Sequence, residues 1–271
     1  MFQSLHVAAT GLNTFEDEMT DITNNLANAK TNGFKVGRTD KESLFYIEKY
    51  PKSFNAVLSD TIARQQIDDF PLEQINFGSG VRTIATPKDY SQGSIETTKN
   101  PLDLAIQGEG FLKFKMPDGT IAYGRAGNLH MDNDGNVVDP NGHYLDPQVT
   151  LPEGTTKVVI RTDGTVFVNI NNATNFTEVG QITIAKFTNP SGLKSLGQNL
   201  YAATDSSGDA RVGVPGEDGF GSLTQYALEL SNVDVVSEMM RMIITQRVFD
   251  TVTKAVQSYD SMLTAVERMK Q

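Results

Sequence analysis

Cysteine is absent from the 271 residues, and histidine occurs only at His6, His130 and His143. Without thiols there is no disulfide framework, no thiolate nucleophile and no cysteine-bound zinc. No two of the histidines share a helix face or bracket a metal at a ligand spacing. No apolar run approaches the ~20 residues of a membrane span, and the N-terminus has neither a basic lead nor an unbroken apolar stretch. Positive charge is short: 23 Lys and Arg face 33 Asp and Glu, a net charge of -10. That balance excludes sequence-blind nucleic-acid binding and adhesion to anionic membranes, both of which need a basic footprint. The chain also lacks a Gly-x-Ser-x-Gly elbow, a lysine-bearing phosphate loop and a carboxylate pair in a distinctive setting. Gly78-Ser79-Gly80 and Gly108-Glu109-Gly110 are too short for a nucleotide fingerprint and precede no helical pattern, so they read as turns. Asp132-Asn133-Asp134-Gly135 has the opening of a calcium loop without its closing glutamate, and also reads as a turn. Nothing here supports an enzyme, a cofactor or a metal.

What the chain has is a heptad. Leu5, Leu12, Met19 and Leu26 are seven apart, and Ala8, Phe15, Ile22 and Ala29 follow each by three. An alternation of three and four is the seam of a coiled coil, narrower than the stripe of a globular surface helix. The far end repeats it: Val235, Met242, Phe249, Val256 and Leu263 are seven apart, widened by Val248, Val252, Ala255, Tyr259, Met262 and Val266. The first helix is predicted from Ser4 to about Thr31, with Asn32-Gly33 as its stop. Gly11 inside it is either tolerated strain or the close approach of another backbone. Its Glu16, Asp17, Glu18 and Asp21 read as a solvated face, with the C-terminal arginines as partners. The second helix is predicted to follow a capping box, Ser231 to Asp234, and to run to Lys270.

Between the helices, Phe34 to Phe77 shows only short apolar pairs, the pattern of an extended arm shaped by its neighbours. From Val81 to Tyr226 short alternating runs are cut by Asp118-Gly119, Asp134-Gly135, Asn141-Gly142 and Asp163-Gly164, pairs expected where two successive residues take positive φ. The predicted class is α+β. Residues 1–34 and 227–271 form a coiled-coil-like inner domain, 35–80 an extended link and 81–226 a central all-β domain. The expected interface comprises Leu5, Leu12, Phe15, Met19, Ile22 and Leu26 on one seam, and Val235, Met242, Phe249, Val252, Val256, Tyr259 and Leu263 on the other.

Asn24-Asn25-Leu26-Ala27-Asn28-Ala29, followed by Thr31-Asn32-Gly33-Phe34-Lys35, resembles the N-terminal signature of bacterial flagellar basal-body rod and hook proteins. The likeness continues through Gly78-Ser79-Gly80-Val81-Arg82, Gln92-Gly93, Asn100 to Ile106, Gly108 to Phe111, Pro117-Asp118-Gly119 and Tyr123-Gly124-Arg125. At the far end Ser231-Asn232-Val233-Asp234 and Gln246-Arg247 resemble that family's C-terminal helix motif. Within the family the chain is most similar to distal-rod members. The resemblance implies a structural subunit that assembles helically into the shaft crossing the periplasm. Its partners would be further copies of itself and other rod, hook and ring proteins. It would be exported by the flagellar type III apparatus without a cleaved signal peptide, with no cofactor, nucleic acid or membrane insertion. The alternatives are a proximal-rod or hook relative, or a secreted β-domain binding module oligomerised by its helices.

Overall fold

In the computed structural model, residues 2–49, 75–170 and 175–269 are described. Among them are two α-helices, α1 (Phe2–Ala27) and α2 (Val235–Arg268), roughly 39 and 51 Å long at 1.5 Å per residue, and twenty short strands. The class is mixed α and β, with the long helices at the two ends as expected.

The helix ends differ from expectation in instructive ways. The α-helix stops at Ala27, four residues before Thr31. Asn28 Nδ2 donates to the Asn24 carbonyl, and the tighter bonds Ala29 N to Leu26 O and Thr31 N to Asn28 O carry the chain onward as turns. Gly33 then reverses it at φ +68°, where a Cβ would lie 2.6 Å from the Ala126 backbone nitrogen. For α2 the cap is Asp234 rather than Ser231. Asp234 Oδ1 accepts from Val236 N at 3.1 Å and Oδ2 from Ser237 Oγ at 2.6 Å, while Ser231 Oγ accepts from Val233 N just outside the helix.

Backbone proximity divides the chain into two compact units. One holds residues 23–38 and 87–239 and contains the β body. Its main sheet runs Lys194–Gly197, Leu200–Ala202, Ile121–Gly124, Phe111–Lys115, Tyr144–Leu145, Val137–Val138, His130–Met131; Ile184–Lys186 shares an edge of Phe111–Lys115 and pairs in turn with Arg211–Gly213. A three-stranded sheet, Thr155–Ile160, Thr165–Ile170 and Thr177–Gln181, lies beside two isolated pairs, Leu104–Gln107 with Ser222–Gln225 and Ile95–Thr97 with Ala227–Glu229. The inward residues Leu104, Ile106, Leu112, Phe114, Val168 and Ile184 form one apolar core, each worth ~1.5–3 kcal/mol on burial.

The four Gly-containing pairs all stand at hairpin tips, but not in the expected geometry. In each, only the glycine has positive φ: Gly119, Gly135, Gly142 and Gly164, at +80° to +86°. Each glycine N–H closes a type I turn onto the carbonyl three residues back, of Met116, Asp132, Asp139 and Arg161. A second bond from those same residues' N–H, to Thr120, Asn136, His143 and Thr165, makes the bulged three-residue loop. Successive positive φ values occur instead at Gly197-Gln198-Asn199, at 96°, 55° and 59°, where Lys194–Gly197 turns into Leu200–Ala202, and at Asp218-Gly219, at 47° and 77°.

The other unit holds, among the described residues, 2–22, 39–49, 75–86 and 240–269. Asp40–Ser43 pairs with Val81–Ala85, and Tyr46–Lys49 with Ile75–Gly78. The two ends of the weakly patterned segment are therefore paired strands; its centre, 50–74, lies outside the described residues. The acidic face of α1 is where these strands attach. Asp21 Oδ2 accepts from Thr39 Oγ1 at 2.6 Å, Asp17 Oδ2 from Thr83 Oγ1 at 2.7 Å and Glu18 Oε2 from Lys41 Nζ at 2.6 Å. Arg241 also reaches Glu18, at a looser 3.6 Å. The face is therefore only partly solvated, Glu16 and Asp17 being exposed, and the expected pairing with a C-terminal arginine is present as Arg241 with Glu18. A Cβ on Gly11 would meet nothing within 4 Å among the described residues, so no close backbone there explains that glycine.

Candidate functional site

The asparagine-rich signature at the end of α1 folds into a buried polar junction. Lys35 Nζ lies 2.6 Å from Glu229 Oε1, and Arg125 Nε donates to Glu229 Oε2 at 2.8 Å; all three side chains are essentially inaccessible. Their remaining hydrogen-bonding capacity goes to backbone. Lys35 Nζ donates to Ser91 O, Arg125 Nη1 to Gly108 O and Gly110 O, and Gly93 N to Glu229 Oε1. Burial pulls the Lys35 ammonium below its ordinary pKa, with the hydrogen bond and charge of Glu229 acting in the opposite direction. Such a cluster is weak evidence for net stabilisation, but removing one member strands the others in low dielectric. With every group enclosed and bonded, the junction holds chain segments and offers no open acid, base or ligand position.

Two asparagines bracket it. Asn25 mimics a strand neighbour to Gly37, donating from Nδ2 to its carbonyl and accepting its N–H at Oδ1, both at 2.9 Å; Nδ2 also donates to Glu238 Oε2 at 3.2 Å. Asn232 Oδ1 accepts from Val36 N at 2.8 Å while its Nδ2 donates to Asp89 O. The last turn of α1 and the segment just before α2 are thereby tied to one strip of backbone, Val36 to Gly37. Of the signature residues, Asn25, Gly33, Phe34 and Lys35 are buried, Leu26 and Asn28 half-buried, and Asn24 and Ala27 exposed. Glu229 was missed from sequence; its signal is an acid alternating with alanine and leucine in Ala227-Leu228-Glu229-Leu230.

The heptad residues take distinct places. Ile22 is fully buried, and Leu5, Leu12, Phe15, Met19 and Leu26 are half-buried. On α2, Met242, Val252, Val256, Tyr259 and Leu263 are half-buried, whereas Val235 and Phe249 remain about 40% exposed. A second row went unread in the sequence: Val236, Met239, Met240, Ile243 and Ile244 are all exposed. At 3.6 residues per turn they fall opposite Met242, Thr245, Val252 and Val256. The first third of α2 thus has one bare apolar side, opposite a side of mixed character with Glu238 and Thr245 buried beside Met242.

No chemistry-bearing cluster competes with these surfaces. His143 Nδ1 sits 2.9 Å from Asp139 Oδ2 inside a hairpin loop, and His130 Nδ1 is 3.1 Å from Asn128 O on the surface. Asp132 Oδ1 accepts from Asn133 N within its turn. Among the described residues no group of His, Asp or Glu could hold a metal ion, and no helix is long and apolar enough to cross a membrane.

Terminal helices with apolar rows, tied through a closed polar junction to a β body, define a structural chain. Comparison with known proteins narrows the class. Residues 105–168 match the family described as flagellar hook protein FlgE/F/G D1 domain, and residues 224–269 the flagellar basal body rod FlgEFG protein C-terminal family. The flagellar basal-body rod protein FlgG of Buchnera aphidicola subsp. Schizaphis graminum is 37% identical over 269 residues, covering 99% of this chain and all of the relative. That of Borreliella burgdorferi is 35% identical over 272 residues, covering 100% of this chain and 99% of the relative. The hook protein FlgE of Salmonella typhimurium is 40% identical over 111 residues, 41% of this chain and 27% of that protein. The chain belongs to the family of flagellar basal-body rod proteins. It is a structural subunit of the flagellar basal body, working with other rod and hook proteins, and not an enzyme.

Proposed function

We propose that the chain is the distal-rod subunit, polymerising helically into the drive shaft that carries torque across the periplasm to the hook. In this reading the domains follow the predicted order. Residues 1–34 and 227–271 pack as a coiled-coil-like inner layer between copies, 81–226 form the outer β layer, and 35–80 brace neighbouring subunits. The self-contacts are made by Leu5, Leu12, Phe15, Met19, Ile22 and Leu26 of α1 and by Val235, Met242, Phe249, Val252, Val256, Tyr259 and Leu263 of α2. Ring proteins surround the shaft, and export proceeds through the flagellar type III apparatus without signal-peptide cleavage. The observation that carries this reading is the bare apolar row from Val236 to Ile244. Five large apolar side chains presented together to water suit burial against another protein surface. Full-length similarity to FlgG supports the distal position and the second copy as the occupant.

The test is Phe249→Lys, which places a charge in the α2 seam where desolvating it opposes packing. In cells carrying only this variant, rods and motility should be lost, while the purified chain should melt at the wild-type temperature because Phe249 is partly exposed and is not a member of the β core. Normal rods and swimming would refute the assignment of the seam.

A further inference from the structure

Three of the nine methionines, Met239, Met240 and Met242, fall within four residues near the start of α2. Met239 and Met240 stand on the bare face beside Val236, Ile243 and Ile244, 50% and 58% exposed; Met242 is on the opposite, half-buried side. Before two copies meet, both thioethers are open to any small oxidant in the surroundings. Methionine suits such a face because its flexible, polarisable chain adapts to a partner surface. The same sulfur is its chemical weakness.

We infer that Met239 and Met240 form an oxidation site that governs assembly, with a hydroperoxide as the oxidant. This rests on the reading of the bare α2 face as a contact between copies. The sulfur lone pair attacks one peroxide oxygen. The S–O bond forms as the O–O bond breaks, and the departing hydroxide, or alkoxide from an alkyl hydroperoxide, takes up the proton of the transferred hydroxyl and leaves as water or as the alcohol. Sulfur loses two electrons and the peroxide gains them. The product sulfoxide is a strong dipole that an apolar contact cannot hydrogen-bond, so each conversion weakens association about tenfold. Once two copies have packed, the sulfurs are enclosed and the site is closed to oxidation. The device therefore acts on the unassembled subunit and spares the finished polymer.

The experiment treats purified full-length chain with hydrogen peroxide, reads each methionine by peptide mass spectrometry and follows assembly by sedimentation. Conversion of Met239 and Met240 should cut sedimenting polymer at least tenfold, and methionine sulfoxide reductase should restore it. In Met239→Leu/Met240→Leu the ratio of treated to untreated assembly should stay near one, even with the exposed Met131 of the β body fully oxidised. Independently, in wild-type polymer Met239 and Met240 should oxidise at least tenfold more slowly than in the monomer, while Met131 serves as the reference. Undiminished assembly after conversion would overturn the inference and leave the polymer reading intact; equal oxidation rates in the two states would overturn the inference and remove the bare α2 face from the contacts between copies. Failure of the untreated wild-type chain to sediment as polymer at any concentration would instead bring down the polymer reading, and the inference with it.

Discussion

Glu229 is the residue on which the junction turns, because it is the acid that both Lys35 and Arg125 contact. Glu229→Gln keeps the shape but leaves two cations enclosed together without their countercharge, and should lower unfolding free energy by ~3–5 kcal/mol in urea titration. A loss below ~1 kcal/mol would show that the cations are hydrated after all. Two glycines separate backbone strain from collision. Both Gly142 and Gly164 hold positive φ, but a Cβ on Gly142 meets nothing within 4 Å, whereas one on Gly164 would lie 2.3 Å from Ile182 O. Gly142→Ala should cost ~1–2 kcal/mol, the left-handed penalty alone. Gly164→Ala should cost clearly more, and equal melting shifts would contradict this. At this scale the sequence was a good guide to where turns fall and a poor one to their form. An Asp-Gly or Asn-Gly pair signals a reversal. Whether one or both residues take positive φ depends on the register of the flanking strands, which paired residues far apart in the chain decide.

Among the elements, α2 is the one whose faces divide the work. Its start depends on the ionised Asp234, whose pKa lies below the ordinary 3.8 because Ser237 Oγ and then the Val236 N–H bond its carboxylate. A folded value below the unfolded one means the cap's contribution is complete above 3.8 and fades as pH falls through the lowered folded value. Hydrogen exchange at Val236 to Glu238 should therefore quicken on acidification through that window. In Asp234→Asn, which caps without a charge, it should not. Further along, Ile244→Asp changes an exposed position, so the monomer should keep its stability within ~0.5 kcal/mol while assembly fails. A destabilised monomer would place Ile244 in the chain's own packing instead. The heptad made one face of this helix legible. The second face escaped because the doublets Val235-Val236, Met239-Met240 and Ile243-Ile244 supply a parallel row, which a search for a single narrow seam passes over.

For the whole molecule, the order of helix, weakly patterned segment, β body and helix could be read from the periods 3.5 and 2. The pairing of Ile95–Thr97 with Ala227–Glu229, and the burial of Lys35 against Glu229, could not, since periodicity carries no information about contacts 130 to 194 residues apart. Those long-range ties join the segment after α1 and the segment before α2 to one β body. The central claim is that the apolar rows of α1 and α2 close on further copies without a fixed stoichiometry. Sedimentation velocity of the purified wild-type chain over a rising concentration series, with electron micrographs of each fraction, tests it most directly. The account predicts sedimentation coefficients that increase without a plateau and rods that lengthen with concentration; a single boundary that stays monomeric, or that stops at one defined oligomer, would contradict it.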